Sequence, residues 1–306
     1  MFSAPARASK STFLFRPDAR FDTTESIEFP PLRRVILPLD RKPCAFTLVE
    51  LAVVIGILAV LTALLVPSFA NLKGANDLTN AAYTLKGLLE QTRTYARVNN
   101  TYAWVGFFEE NGSFASTIPP SAGNGRLVLS CVASVDGTAV YTSTPGPIDP
   151  TRLIQIARLV KIDNLHLPLF AIGTGTGNTF DGRPALQFEP TAGYNYARFG
   201  ELNAASPNTA PYTNSQYPFQ YPVGNPAPAP QYTFLKTLQF GPRGESRING
   251  NNYDARRVVE IGLLQTRGGI VPAPASGSGT STASYNGNVI AVQISGLSST
   301  VKLYRR

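Results

Sequence analysis

The stretch CAFTLVELAVVIGILAVLTALLVP, residues 44–67, decides how this chain folds. From Phe46 to Val66 it holds 21 residues, of which Glu50 is the only charged one. At about 1.5 Å of rise per residue, an α-helix of this length measures roughly 30 Å, which is the thickness of a bilayer core. A buried helix of a soluble protein usually shows a polar stripe within such a length, whereas here the polar residues are isolated. We therefore predict that residues 46–66 form a transmembrane helix.

The residues that flank this run predict its orientation. Four basic residues precede it, at Arg33, Arg34, Arg41 and Lys42, whereas Lys73 is the only one in the ten positions after it. Basic residues favour the cytoplasmic side, so we expect a single pass through the inner membrane, with the N-terminus in the cytoplasm and the bulk outside. A secretory signal peptide would need a small-residue cleavage site after the run, but a helical pattern continues there.

Glu50 is unusual because an acid at depth in hydrocarbon costs a few kcal/mol and tends to face a protein partner. If the chain were cut between Ala45 and Phe46, the new α-amino group would lie four residues before Glu50 on the same helical face. The amine of a neighbouring subunit could neutralise the carboxylate equally well. Glu50 is therefore the candidate residue for subunit docking.

The sequence from Ala45 to Pro67 resembles the class III signal of type IV pilins and type II secretion pseudopilins. It has the same order of features: a small residue, Phe-Thr-Leu-Val-Glu, an apolar run and then a proline. The resemblance implies that a prepilin peptidase cleaves between Ala45 and Phe46 and N-methylates Phe46. It implies partners as well: other pilins or pseudopilins, an inner-membrane assembly platform and membrane lipid. Residues 1–45 would then be a cytoplasmic leader, with Ala45 where the family usually has Gly. This leader is long for the family, and the alternative is that translation begins at a non-Met codon near Val35.

The helical pattern continues beyond the apolar run. Pro67 removes one backbone donor and predicts a kink. Residues 67–100 then form the amphipathic half of the helix, with a stop at Asn99-Asn100. The apolar seam of this half alternates spacings of four and three: Leu78, Ala82, Leu85, Leu89, Thr92 and Ala96.

Two segments resemble one subgroup, the GspH and FimT minor pseudopilins. One is the helix end Leu88–Asn100 with a strand from Tyr102 to Phe108, and the other is Leu238–Gly244, similar to the Phe-x-Pro-x-Gly turn of that subgroup. A last strand from Val301 to Arg305 fits as well. The resemblance covers residues 45–108 and 236–304, and it implies an α+β fold in which a long N-terminal helix packs on a β-rich head, residues 101–306, with long loops.

The middle of the chain is predicted from local patterns. Apolar and polar residues alternate in two runs, Leu127–Val135 and Thr138–Thr142, on either side of Asp136-Gly137. This pattern predicts a hairpin. The Pro/Tyr-rich segment 206–230 predicts a surface loop, and 272–284 a flexible one. Further predicted elements are a short helix at Leu153–Val160 and strands at Pro184–Phe188, Arg256–Leu264 and Asn288–Ile294.

No catalytic constellation or cofactor site emerges from the pattern of residues. His166 has no metal-ligating neighbours, so we expect a structural or surface role and no metal site. Cys131 lies in an apolar run and is predicted to be buried. The glycines of 173–177 lack the Lys and the strand-to-helix setting of a phosphate loop. We therefore expect a structural subunit, not an enzyme.

The net charge of +8 falls to +5 for residues 46–306, which is not a nucleic-acid signature by itself. The candidate ligand-facing basic residues are Arg243, Arg247, Arg256 and Arg257. A solvated face is the simpler interpretation, because acidic residues alternate with them. Two alternatives to a filament subunit stay open: a DNA-binding or adhesive minor pilin, and an unprocessed single-span anchor with an unrelated outer domain.

Overall fold

The computed structural model describes residues 47–139, 146–186, 197–198, 217–248, 258–272, 285 and 288–306, without the side chains of helical residues 64–75. The chain divides into two compact units, Met1–Gly56 and Ile57–Arg306. Within these residues the structure contains one helix, α1 (Leu48–Val98), a 3₁₀ turn (Pro150–Arg152) and ten strands: β1 (Ala103–Asn111), β2 (Gly125–Ser134), β3 (Leu153–His166), β4 (Phe219–Tyr221), β5 (Tyr232–Phe234), β6 (Lys236–Phe240), β7 (Ser246–Ile248), β8 (Val258–Gln265), β9 (Val289–Ser295) and β10 (Val301–Arg305). The predicted α+β class with a β-rich head is confirmed.

Helix α1 runs for 51 residues and ends at Val98. Its end is stabilised by a left-handed residue, Asn100, at φ 49°. The N–H of Thr101 then donates to the carbonyl of Ala96 at 2.9 Å, a bond that satisfies one of the free carbonyls of the last turn. The predicted stop at Asn99-Asn100 is confirmed.

In the described part of the chain, no helix is both long enough and apolar enough to cross a membrane. The predicted span 46–66 begins at Phe46, which lies outside the described residues. Its last three residues belong to the part of α1 whose side chains are not described.

Eight strands form one sheet in the order β10-β9-β8-β3-β2-β1-β6-β7, and every neighbouring pair is antiparallel. The sheet curls, because β7 at one edge meets the turn between β9 and β10 near the other edge. The N–H of Ser246 donates to the carbonyl of Gly296 at 2.8 Å, and the hydroxyl of Ser299 donates to the carbonyl of Gly244 at 2.6 Å. The second half of α1 packs on the inner face of this curled sheet.

The inner core joins the apolar seam of α1 to the sheet. The seam predicted from the sequence is buried, as its spacing requires, because residues three and four apart share one helical face. Burying a Leu side chain in this way contributes roughly 1.5–3 kcal/mol. The helix supplies Leu78, Ala81, Ala82, Leu85, Leu89 and Ala96, and the central strands supply Val105, Phe107, Leu129, Cys131, Leu238, Ile261 and Val292 among others.

The outer face of the sheet is covered by a small hairpin of β4 and β5. Phe219 and Phe234, one on each strand of the hairpin, lie over Gly106 of β1, where an added Cβ would come within 2.6 Å of both rings. Because any side chain at Gly106 would push the hairpin away, this glycine permits the close approach. The outer core consists of Trp104, Phe108, Val128, Val132, Ile148, Leu153, Tyr217, Phe219, Tyr232 and Phe234.

Two local predictions were wrong. The segment Leu153–Val160 is the first half of strand β3, not a short helix. The predicted hairpin of Leu127–Val135 with Thr138–Thr142 is not formed by β2, which pairs with β1 and β3 instead, and residues 140–142 lie outside the described residues. The carboxylate of Asp136 accepts hydrogen bonds from the backbone and the hydroxyl of Thr138, which closes a local turn where a return strand was expected.

The segment 206–230 also differs from the prediction where it is described. Residues 206–216 lie outside the described residues, but Tyr217 and Phe219 are buried and β4 begins at Phe219. The prolines around them restrict the hairpin to two short strands, whereas the aromatic rings bury themselves on β1. Of the predicted strand Pro184–Phe188, only 184–186 are described, and Pro184 forms an isolated bridge with Gly175.

Candidate assembly motif and charged clusters of the head

The start of α1 is organised by Thr47 and Glu50. The carboxylate of Glu50 accepts hydrogen bonds from the N–H and from the hydroxyl of Thr47, both at 2.9 Å. In return, the N–H of Glu50 donates to the hydroxyl oxygen of Thr47 at 3.2 Å. This reciprocal pair is a capping box, and the acid also lies in the first turn, where the helix dipole favours negative charge. Glu50 is exposed and remains accessible to a partner.

The predicted processing residues precede the described part of the chain. Ala45 and Phe46 lie outside the described residues, directly before Thr47. The helix continues through Pro67, but the side chain there is not described, so the predicted kink stays a prediction.

The first turns of α1 expose their apolar side chains. Exposed large apolar residues between Leu48 and Leu61 include Leu51, Val53, Ile55, Ile57, Leu58 and Val60. Because this many exposed apolar side chains in one run are rare on a monomeric soluble protein, the run marks a surface that lipid or another protein covers.

Residues 40–66 match the model of the prokaryotic N-terminal methylation motif. This match supports a type IV pilin-like protein. The motif implies processing by a prepilin peptidase and assembly with other pilins, and it is typical of membrane-anchored pilins. No curated protein and no solved structure was found to match the chain.

Beyond the pilin-like motif, the head contains a fully buried charged cluster on the inner face. Glu109 accepts from Lys236 Nζ at 2.9 Å through one carboxylate oxygen and from His166 Nδ1 at 2.6 Å through the other. Burial alone would raise the pKa of Glu109, but the charges of Lys236 and His166 outweigh it and hold the pKa at about 2. The cluster ties β1 to β6 and to the end of β3.

A second cluster surrounds the adjacent Glu110 on the outer face. Its carboxylate accepts from Lys161 at 3.1 Å, from Arg126 at 3.2 Å, from Ser116 at 3.0 Å and from the hydroxyl of Tyr232. Burial raises the pKa of Glu110, but these hydrogen bonds lower it below the usual range. Through them, Glu110 joins β1, β2, β3, the loop after β1 and the covering hairpin.

A third cluster lies on the outer face of β8. Arg183 donates to both carboxylate oxygens of Glu260, at 2.6 and 3.0 Å, and both side chains are buried. Gln293 of β9 adds a hydrogen bond at 2.9 Å to the same carboxylate. The bidentate geometry supplies directional bonds that offset part of the cost of burying the two charges.

The sequence did not predict these clusters, because their partners lie far apart along the chain. One local signal existed: Glu109 and Glu110 lie at the end of an apolar strand, so alternation places one acid on each face. The predicted structural role of His166 agrees with its burial against Glu109. Cys131 is buried as predicted, and burial raises its pKa to about 11, so the thiol stays protonated at neutral pH. Among the described residues, no group of His, Cys, Asp and Glu could hold a metal ion.

The candidate basic residues do not form one patch in the described chain. Arg243 is exposed and, with Arg97 of α1, lines an open groove of about 590 Å³ between the helix end and the turn after β6. Arg247 is half-buried and donates to Gln239 at 3.1 Å. Arg256 and Arg257 lie outside the described residues.

Proposed function

We propose that the chain is a non-enzymatic minor subunit, a pseudopilin or minor pilin of the GspH/FimT type, in a type II secretion or type IV pilus-like filament. In this proposal a prepilin peptidase cuts between Ala45 and Phe46 and methylates Phe46. The mature subunit crosses the inner membrane once through residues 46–66, with its head outside the cytoplasm. It then enters the filament through α1.

The single observation that carries the proposal is the division of α1 into two parts. The methylation motif at 40–66 leads into a run of exposed apolar side chains, whereas the seam from Leu78 to Ala96 is buried by the head. A helix that packed only against the core of its own head would not expose the apolar side chains of its first part. A subunit that shares its helix with lipid and with neighbouring subunits requires this division.

Glu50 supplies the test. Its carboxylate is exposed and already ordered by Thr47, so it is available to the α-amino group of a neighbouring subunit. We expect Glu50→Ala to leave membrane insertion intact and to lower incorporation into filaments at least tenfold, because one uncompensated amine within lipid costs more than about 1.4 kcal/mol. Sedimentation of sheared filaments after alkaline extraction of membranes measures both quantities.

The matched control is Glu90→Ala, which removes an exposed acid from the second part of the same helix. It should assemble normally. Normal incorporation of the Glu50→Ala protein would refute the docking role. Mass spectrometry of the mature chain adds a separate test, since the proposal requires an N-terminus at Phe46 with one added methyl group.

A DNA-binding minor pilin is the second candidate, and the groove between Arg97 and Arg243 favours it. Two guanidinium groups on one groove can contact successive phosphates, and such binding weakens steeply with salt. Loss of salt-sensitive DNA retention in an Arg97→Gln, Arg243→Gln variant would support this candidate. Retention equal to that of the unaltered chain would exclude the groove.

A further inference from the structure

One end of the sheet carries exposed apolar and basic side chains on two joined loops. The register identifies this end: Asn111 pairs with Gly125, Gly125 with Leu165, Leu165 with Gln265, Leu264 with Val289, and Ile290 with Arg305. Arg305 in turn donates to the hydroxyl of Thr79 on α1 at 3.2 Å. We call this the near end, because the part of α1 that precedes Thr79 leaves the sheet here.

The two loops of the near end follow β1 and β8, and they touch each other. The N–H of Gly269 donates to the hydroxyl of Ser113 at 3.1 Å. Directly beside this contact, Phe114 exposes 65% and Ile270 exposes 71% of its surface. Ile118, on the same loop as Phe114, is also exposed. The near-end patch is therefore defined by Phe114, Ile118 and Ile270.

The charges around the patch favour an anionic partner. Arg267 is exposed in the tight turn that presents Ile270, and no described carboxylate lies within ion-pair distance of it. The carboxylates of Asp163 and Asp181 are each paired with an arginine, Arg126 and Arg306 respectively. Two further charged residues at this end are exposed, the acid Asp77 on α1 and the base Arg305 on β10, so Arg267 and Arg305 stand against one acid.

We propose that the near-end patch rests on the surface of an anionic phospholipid bilayer, so that the head lies against the membrane before assembly. The inference rests on the proposed membrane anchorage by residues 46–66. Exposed Phe and Ile side chains beside Arg267 suit the headgroup boundary, where apolar groups enter the acyl region and a guanidinium group meets phosphates.

The length of α1 determines what this contact requires. Thr79 follows Val66 by thirteen residues, which is about 20 Å of helix. With an upright helix the patch would stand above the headgroups, so the helix must lean toward the side that carries the sheet. Membrane helices commonly tilt by about 20°, and a kink at Pro67 would add to the tilt at the required position.

A matched pair of single-cysteine variants tests the proposal in the full chain. Ile270 and Leu297 both lie in turns and expose 71% and 72% of their surface, but Leu297 follows β9 at the opposite end of the sheet. Each is changed to Cys in a Cys44→Ser background, where the remaining Cys131 is buried and unreactive. An environment-sensitive fluorophore is attached, and the protein is reconstituted into vesicles of anionic and zwitterionic phospholipid that contain a headgroup spin label.

We expect the spin-labelled lipid to quench the fluorophore at position 270 severalfold more than at position 297, and to do so most in anionic vesicles. Equal quenching at the two positions would overturn the inference. If the fluorophore at position 270 instead became buried as the protein concentration rose, independently of lipid, the patch would be assigned to a second copy of the chain. That result would also overturn the inference. Flotation with the vesicles is measured first: a chain that does not float refutes the anchorage itself, whereas flotation with equal quenching refutes only the near-end contact.

Discussion

The two faces of the sheet differ most at Glu109 and Glu110, which are neighbours on β1. Glu109 points to the inner face, on which α1 packs, and is fully buried with Lys236 and His166. Glu110 points to the outer face, where its partners Lys161 and Arg126 remain partly exposed. The two carboxylates therefore lie in different environments, because α1 packs on the inner face whereas the small hairpin only partly covers the outer face. Four predictions test this difference, from the largest expected effect to the smallest.

The largest effect is expected at Lys236. Lys236→Met would leave the Glu109 carboxylate buried without its ammonium partner, and breaking a buried pair in this way costs about 3–5 kcal/mol. Urea unfolding of the full chain in detergent measures the loss. Glu109→Leu combined with Lys236→Met should recover part of it, since neither charge is then buried alone. A loss below about 1 kcal/mol would mean that water reaches the inner cluster.

Acid should weaken the same cluster, because it protonates the Glu109 carboxylate. The pKa of Glu109 is lowered from 4.5 to about 2 in the folded chain, so this group stabilises the fold above pH 4.5 and the contribution is lost as the pH falls toward 2. Its size is on the order of 3 kcal/mol, because each tenfold change in proton affinity corresponds to about 1.4 kcal/mol. Unfolding free energy measured between pH 5 and 2 should fall less steeply in Glu109→Gln than in the unaltered chain. Parallel slopes in the two proteins would contradict the assignment.

Gly106→Ala tests the fit of the outer hairpin. The added methyl group would lie within 2.6 Å of both Phe219 and Phe234, so the hairpin must shift, at a cost of about 1–3 kcal/mol. Gly87→Ala on α1 is the control, because nothing lies within 4 Å of the added atom there. This control should stabilise the helix by up to about 1 kcal/mol. Equal effects of the two substitutions would show that the hairpin does not pack closely on β1.

Tyr232→Phe should have the smallest effect. It removes the hydroxyl that joins Glu110 to the hairpin but keeps the ring, and Lys161, Arg126 and Ser116 still satisfy the carboxylate. A hydrogen bond to a charged group is worth about 1.5–3 kcal/mol, and because three other donors remain on Glu110 we expect a loss at the lower end of that range. Thermal unfolding of the variant checks the value. A loss as large as that of Lys236→Met would remove the difference between the two faces.

Local patterns predicted well the elements whose partners are set by periodicity. The spacing of four and three along α1 placed Leu85 and Leu89 in the core correctly. The predicted segments Arg256–Leu264, Asn288–Ile294 and Val301–Arg305 overlap with β8, β9 and β10. Predictions failed where a tertiary partner overrode the local pattern. Leu153–Val160 pairs with β2 although its composition also suits a helix, and Tyr217 is buried by the outer face although prolines surround it.

The sequence by itself determined the motif of residues 44–67, because cleavage signal, apolar length and the single acid Glu50 are all properties of consecutive residues. It also determined that α1 continues past Pro67 with one buried face. Only the tertiary structure decided that Glu109, His166 and Lys236 meet, that Arg97 and Arg243 line one groove, and that the loops of Phe114 and Ile270 share the near end. The physical reason is that these neighbours come from segments far apart along the chain, and which distant segments meet is selected by the packing of the whole core.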